Sequence, residues 1–231
     1  RAQYGLDKPF YVQYLKWISG VVVGDFGQSF TLNKPVNELI WEKLGITVAV
    51  TFVAILFTWI IALPIGIYSA THQYKFSDNL FTLLGFIGIS TPPFSLALLL
   101  MWASFQYFHA NVGGLFSEQF VNAPWSWAKV LDFLEHIWIP VFLLSIEGTA
   151  GLIRQVRANL LDQLEMPYVV TARAKGLSEW RLLLKYPVRL AINPLVSTVG
   201  WMLPQLVSGS VIVAMVLGLP MTGPMFLRAL M

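Results

Sequence analysis

The chain has 231 residues, no cysteine, and 15 lysines and arginines against 12 aspartates and glutamates. Apolar residues make up 56% of it and charged residues 12%, about half of the ~25% that is usual in soluble domains. A soluble fold of this length could not bury so much apolar surface, so we exclude ordinary soluble and disordered proteins. The lack of cysteine excludes a disulfide scaffold and thiol catalysis.

The charged residues are separated by long uncharged stretches. Three of these stretches contain no Asp, Glu, Lys or Arg, at residues 44–74, 79–117 and 190–227. Each is long enough for the ~20 apolar residues of a membrane-spanning helix, and a fourth apolar run carries the single charge of Glu147. Because the runs lack the alternation of barrel strands, we predict an all-α polytopic membrane protein. Its spans are predicted at Ile46–Ala70, Leu80–Phe108, Ile137–Ile153 and Ala191–Leu217.

The charges of the connecting loops predict an orientation. Residues 154–189 hold seven Lys or Arg and three acids, whereas residues 118–135 hold one Lys and three acids. Cytoplasmic loops are enriched in Lys and Arg, so we place a loop over residues 154–190 in the cytoplasm and residues 118–135 outside. The number of spans between these loops then places residues 1–43 outside and residues 72–78 inside. Because Arg1 is then already outside and Met231 closely follows a span, we expect an internal fragment that lacks a first and a last span.

The cytoplasmic loop carries helix signals. Pro167 favours a helix that runs to Lys175, and Gly176 is suited to end it in the left-handed conformation. Ser178 can cap a second helix, Glu179–Tyr186, before Pro187 interrupts it. Small residues at Ala172, Ala174 and Gly176 would let a partner protein approach closely. The loop is therefore either a docking site or a basic surface attracted to anionic lipid.

The string Tyr168-Val-Val-Thr-Ala-Arg-Ala-Lys-Gly-Leu-Ser178 resembles the coupling loop, or EAA loop, of ABC-importer permeases. Its form is similar to that of the dipeptide, oligopeptide and nickel branch, which commonly lacks the glutamate that would fall at Val170. Other pieces resemble landmarks of this branch in order and spacing, namely Gly24-Asp-Phe-Gly27, Pro35-Val36, Pro64-Ile-Gly66, Pro92-Pro-Phe94, Ile139-Pro140 and Ser208-Gly209.

The resemblance implies a type I ABC-importer permease fold in a bacterial or archaeal cytoplasmic membrane. Residues 1–43 would be an extracytoplasmic segment and residues 44–231 a transmembrane permease domain. The implied partners are a second permease subunit, two ATPase subunits that bind ATP and Mg²⁺, an extracytoplasmic solute-binding protein and membrane lipid. The residues that would couple to the ATPase are Thr171, Ala172, Arg173, Ala174, Lys175, Gly176, Leu177, Ser178 and Glu179. The substrate would be an oligopeptide or a related solute such as an oligosaccharide or nickel, moved by alternating access.

The residues exclude some activities and leave one alternative open. No GxxxxGK[ST] phosphate loop is present, so we expect no ATP hydrolysis by this chain, no catalytic residue and no cofactor. No metal-ligand spacing occurs, and the basic charge is confined to one loop, which argues against nucleic acid.

An ion-gradient-driven secondary transporter would need an intramembrane carboxylate, for which only Glu147 qualifies. Because Arg154 and Arg157 are nearby, we favour a structural ion pair or an inter-subunit hydrogen bond for Glu147. Polar residues of the last span are candidates for the translocation pathway, namely Ser197, Gln205, Ser208 and Ser210.

Overall fold

The fold is known from a computed structural model, which describes residues 9–29, 32–108, 113–121 and 123–231, apart from the side chains of residues 203, 205, 206, 209 and 210. Within these residues the structure is helical, and the one extended pairing is an isolated bridge between Gln28 and Pro35. The helices are α1 (Phe10–Val22), α2 (Val36–Thr71), α3 (Phe76–Ser90), α4 (Pro93–Ala103), α5 (Trp127–Leu164), α6 (Pro167–Ala174), α7 (Glu179–Lys185), α8 (Pro187–Val216) and α9 (Thr222–Leu230). The predicted all-α fold is confirmed.

Two described helices are long and apolar enough to cross a membrane, α2 with 36 residues and α5 with 38. They contain the predicted spans Ile46–Ala70 and Ile137–Ile153, but each helix continues well beyond its apolar run. The fourth predicted span lies in α8, a helix of 30 residues that ends one residue before Leu217.

The predicted span Leu80–Phe108 is occupied by two helices with a sharp bend between them. The structure breaks it into α3 and α4, and the two segments are bent by 97° relative to each other. The break falls at Thr91 and Pro92, whose backbones are extended, with ψ of 116° and 130°. A residue before proline is disfavoured in helical conformation and proline donates no backbone hydrogen bond, so the Pro92-Pro93 pair ends α3 and starts α4.

The longest packing interface joins α2 to α5, and glycine permits its closest approach. A Cβ atom added to Gly66 would lie 2.7 Å from Cβ of Val156 and 3.1 Å from the carbonyl oxygen of Ile153. On the other side of α5, a Cβ atom added to Gly88 of α3 would lie 3.7 Å from Cβ of Ala150. Small residues thus bring three helices together around α5, as is common in membrane proteins.

The connecting segments meet at the two ends of the bundle. At one end, the backbone amide of Gly114 donates to the carbonyl of Leu217 at 2.6 Å, and that of Thr222 donates to Oγ1 of Thr47 at 2.9 Å. The loop between α2 and α3 lies at the other end, where Asp78 contacts α5. The loops predicted to face outside therefore share one end of the bundle, and the predicted cytoplasmic loops share the other.

Candidate functional site

The two short helices α6 and α7 form a hairpin at the end of the bundle that was predicted to be cytoplasmic. Gly176 connects them with a φ of +78°, which confirms the predicted left-handed stop. A Cβ atom added there would meet nothing within 4 Å, so backbone conformation rather than space requires the glycine. Helix α7 ends at Lys185 and Pro187 begins α8, as the position of that proline predicts.

Two details of the predicted hairpin are wrong. Ser178 occupies the N-cap position of α7, but its side chain makes no capping hydrogen bond. Ala172 is only 7% exposed and packs with Val169 and Leu182 in the hydrophobic core of the hairpin. Its small size serves the packing of α6 on α7, so Ala172 is not a surface offered to a partner. The exposed members of the predicted set are Thr171, Arg173, Ala174, Lys175, Gly176, Ser178 and Glu179, and Leu177 is half-buried.

An ion pair joins the two helices of the hairpin. Arg173 donates from Nε to Oε1 of Glu179 at 2.6 Å and from Nη2 to Oε2 at 3.0 Å. The hydrogen bond from Arg173 lowers the pKa of Glu179, and the same bond raises the pKa of Arg173. The pair fixes α6 against α7, while Lys175 and Arg181 stay exposed as positive charges.

Sequence reasoning missed two apolar side chains on the surface of the hairpin. Trp180 is 67% exposed and Val170 is 59% exposed. Exposed tryptophans frequently anchor protein interfaces. The signal in the sequence that could have revealed Trp180 is its position between two charged residues, Glu179 and Arg181.

A second candidate site is a cavity of about 420 Å³ where α5 and α8 meet the break between α3 and α4. We call it the groove. The helix break contributes Ile89 and Pro93, and α8 contributes Thr198, Trp201 and Met202. The face of α5 that lines the groove carries Glu147, Gly151 and Arg154.

Neither of the two arginines near Glu147 pairs with it among the described residues, and the alternative of an inter-subunit hydrogen bond stays a prediction. Arg157 instead forms a bidentate pair with Asp78 of α3, through Nε at 3.1 Å and Nη2 at 3.0 Å. The guanidinium of Arg154 lies 5.8 Å from the ring centre of Phe86. Among the described residues, no ion pair includes Glu147, whose exposed side chain lines the groove.

The predicted pathway residues of α8 fall only partly within the described structure. Ser197 and Ser208 are exposed, but the side chains that α8 presents to the groove in the described part of the chain are those of Thr198, Trp201, Met202 and Val213. The side chains of Gln205 and Ser210 lie outside the described residues. Helix α8 lines the groove, but neither Ser197 nor Ser208 is among the side chains that do so. The assignment of these residues to the translocation pathway stays a prediction.

Comparison with known proteins finds one protein family whose model covers the residues of both the hairpin and the groove. Residues 62–231, which contain both sites entirely, match the model of the binding-protein-dependent transport system inner membrane component. The chain belongs to this family. It is therefore a membrane-spanning permease of the binding-protein-dependent ABC importers, and its relatives place it in their peptide branch.

Several relatives align over nearly all of the 231 residues of this chain. The oligopeptide transport system permease protein AppB of Bacillus subtilis is 37% identical, over 97% of this chain and 70% of its own length. OppB of Mycobacterium tuberculosis, an oligopeptide transport system permease protein, is 33% identical over 93% of this chain and 67% of its own length. DdpB of Escherichia coli, a probable D,D-dipeptide transport system permease protein, is 30% identical over 96% of this chain and 70% of its own length.

Proposed function

We propose that this permease forms part of the peptide pathway of an ATP-driven importer, and that its α6–α7 hairpin receives an ATPase subunit. The observation that carries the proposal is that the hairpin exposes two apolar side chains, Trp180 and Val170, together with Lys175 and Arg181. Neither of these two cations forms an ion pair among the described residues. A lipid-attracted linker would need only basic charge. An ordered apolar anchor within a charged rim is typical of a protein interface.

The proposed assembly contains a second permease subunit, two ATPase subunits and an extracytoplasmic solute-binding protein in a bacterial or archaeal cytoplasmic membrane. ATP and Mg²⁺ would bind to the ATPase subunits. Residues 1–43 would face outside, and residues 154–190 would form the cytoplasmic coupling loop of a permease domain over residues 44–231. Peptides are the proposed substrates because the relatives are described as oligopeptide and dipeptide permeases.

The connections of the hairpin support a coupling role. Helix α5 lines the groove and ends at Leu164, three residues before α6 begins, while α8 follows α7 directly at Pro187. Beside these junctions, Leu160, Val188 and Ala191 form one buried cluster. A displacement of the hairpin would therefore move two walls of the groove together, which is the linkage that alternating access requires.

The docking proposal is tested by comparing two exposed tryptophans at opposite ends of the bundle. Trp180→Ala should reduce co-purification of the ATPase at least tenfold, because interface tryptophans commonly contribute on the order of 2 kcal/mol or more. Trp138→Ala, at a side chain that is 61% exposed, is the matched control and should leave co-purification unchanged. Equal co-purification of both variants and the unmodified permease would contradict docking at the hairpin.

The energy source is tested by uptake of labelled peptide into proteoliposomes that contain the complete importer. Uptake should require ATP inside the vesicles and should stop when the ATPase subunits carry an inactivating substitution. Uptake that persists with the inactive ATPase and collapses with an uncoupler would instead support an ion-gradient-driven transporter. Uptake of oligosaccharide but not of peptide would retain the coupling mechanism and overturn the proposed substrate.

A further inference from the structure

The groove contains a carboxylate whose partner the described chain does not supply. Glu147 lies near the middle of α5, twenty residues from its first residue, Trp127, and its side chain is exposed to the groove. A carboxylate within a membrane-spanning segment is costly unless it meets water or a positive charge, so such groups usually mark a pathway or a binding site. Glu147 therefore requires water or a positively charged group in the groove.

The two arginines that follow Glu147 on α5 make their contacts elsewhere. Arg157 makes two hydrogen bonds to the buried Asp78, and Arg154 lies against the ring of Phe86. Arg154 is the one Lys or Arg among the described residues that line the groove, and it lies seven residues beyond Glu147 on α5. Seven residues correspond to about 10 Å along a helix. Glu147 thus presents a negative charge at one position of the groove, and Arg154 presents a positive charge two turns away.

This spacing of charges matches a short peptide in extended form. An extended chain rises by roughly 3.3–3.6 Å per residue, so three residues cover about the distance between the two charged positions. The cavity of about 420 Å³ lies within the range of small-molecule sites, roughly 300–1,000 Å³. The indole of Trp201, 80% exposed, offers an apolar wall to side chains of the peptide.

We infer that the groove is a peptide-binding site in which the Glu147 carboxylate binds the α-ammonium group of the substrate. The inference rests on the proposed peptide transport and adds a specific recognition group to it. The ammonium donates hydrogen bonds to the carboxylate, and the peptide chain extends along α5 toward Arg154. An acidic group at this position selects substrates with a free amino terminus over substrates whose amino terminus is blocked.

The chain has no cysteine, so a single thiol can report occupancy of the groove directly. Thr198→Cys places that thiol on the wall opposite α5. The complete importer that carries this substitution is treated with a thiol reagent, without solute-binding protein, at increasing concentrations of trialanine or N-acetyl-trialanine. The rate of modification of this chain is followed by mass spectrometry, and uptake of labelled trialanine is measured with the solute-binding protein present.

Trialanine should slow modification of Cys at position 198, and N-acetyl-trialanine should require about a tenfold higher concentration for the same protection. Adding Glu147→Gln should abolish this difference by weakening protection by trialanine about tenfold, because a hydrogen-bonded charge pair is lost. Glu147→Asp, which keeps the carboxylate, should retain a preference for the free amine. Asp162→Asn removes a carboxylate from an exposed position of the same helix outside the groove, and it should keep the full preference.

Three results would overturn the inference. Trialanine uptake without protection of the thiol would leave the proposed function standing and show that the groove is not the peptide site. Equal protection by both peptides in the importer that retains Glu147 would exclude recognition of the amino group. Loss of the second permease subunit from the Glu147→Gln importer on purification would assign the carboxylate to a subunit contact. Absence of any trialanine uptake would instead contradict the proposed function itself.

Discussion

Gly66 lies where α2 and α5 come closest, and we predict that Gly66→Ala destabilises the permease. The added methyl group would lie 2.7 Å from Cβ and 2.8 Å from Cγ1 of Val156, closer than two carbon atoms can approach. Val156 is 1% exposed and belongs to the core between these helices, so its side chain has no free space to enter. The two helix backbones must therefore move apart.

The expected change in the free energy of unfolding for Gly66→Ala follows from two opposing effects. Overpacking a well-filled core costs about 1–3 kcal/mol, and the two contacts below 3.0 Å place Gly66→Ala toward the upper part of that range. Alanine also favours the helix over glycine by up to about 1 kcal/mol. We expect a net loss of about 1–2 kcal/mol. Gly45, exposed on the same helix and with nothing within 4 Å of its Cβ position, should instead be neutral or stabilised by alanine.

The assay is thermal unfolding of the purified importer in detergent, with Gly45→Ala as the matched control. Val156→Gly removes both short contacts, so adding Gly66→Ala to that variant should cost much less than adding it to the unmodified permease. The reasoning would be refuted if Gly66→Ala were as stable as Gly45→Ala, or if Val156→Gly failed to reduce its cost.

The hairpin gives two further predictions. Gly176→Asn should retain ATPase co-purification while Gly176→Val should reduce it, because asparagine tolerates a positive φ at lower cost than a β-branched residue; equal losses in both would point to a surface contact instead. The Glu179 pKa is lowered by Arg173, so the ion pair should stabilise the hairpin above the ordinary carboxyl pKa of 4.5 and stop doing so as the pH falls through the lowered value. Fluorine NMR of fluorotryptophan at Trp180 should follow this change, and Glu179→Gln should remove its pH dependence.

The parts of the fold that depend on local chemistry could be predicted from the sequence. Gly176 and Pro187 define the ends of α6 and α7 through backbone preferences that act within a few residues. The apolar runs locate α2, α5 and α8 for a similar reason, since the bilayer sets the length that each run must reach. Helices α2 and α5 continue past the predicted spans into sequence that contains charged residues.

The contacts between distant residues could not be predicted in the same way. Arg157 was considered a partner for Glu147, but its actual partner, Asp78, is 79 residues away in sequence. Ala172 was expected on the surface because small residues suit a docking site as well as they suit a helix crossing, and sequence alone does not distinguish the two. The sequence shows that Pro92 and Pro93 interrupt an uncharged run, whereas the angle of 97° between the two segments depends on the packing of α3 and α4 against α5 and α8.

The pair between Asp78 and Arg157 joins α3 to α5, the helix that leads into the hairpin. Helix α3 and the helix break form the wall of the groove that the hairpin does not adjoin directly. Asp78 is 2% exposed, and besides Arg157 it accepts hydrogen bonds from Ser69 and from the backbone amide of Tyr74. Separating it from Arg157 would leave a buried, uncompensated charge, so the pair should stay closed while the helices move. Helix α3 must then follow α5, and the helix break that lines the groove follows α3. Because α5 also leads into α6, we expect a displacement of the hairpin to reach α3 and the helix break through α5, while α8 is connected to the hairpin directly at Pro187.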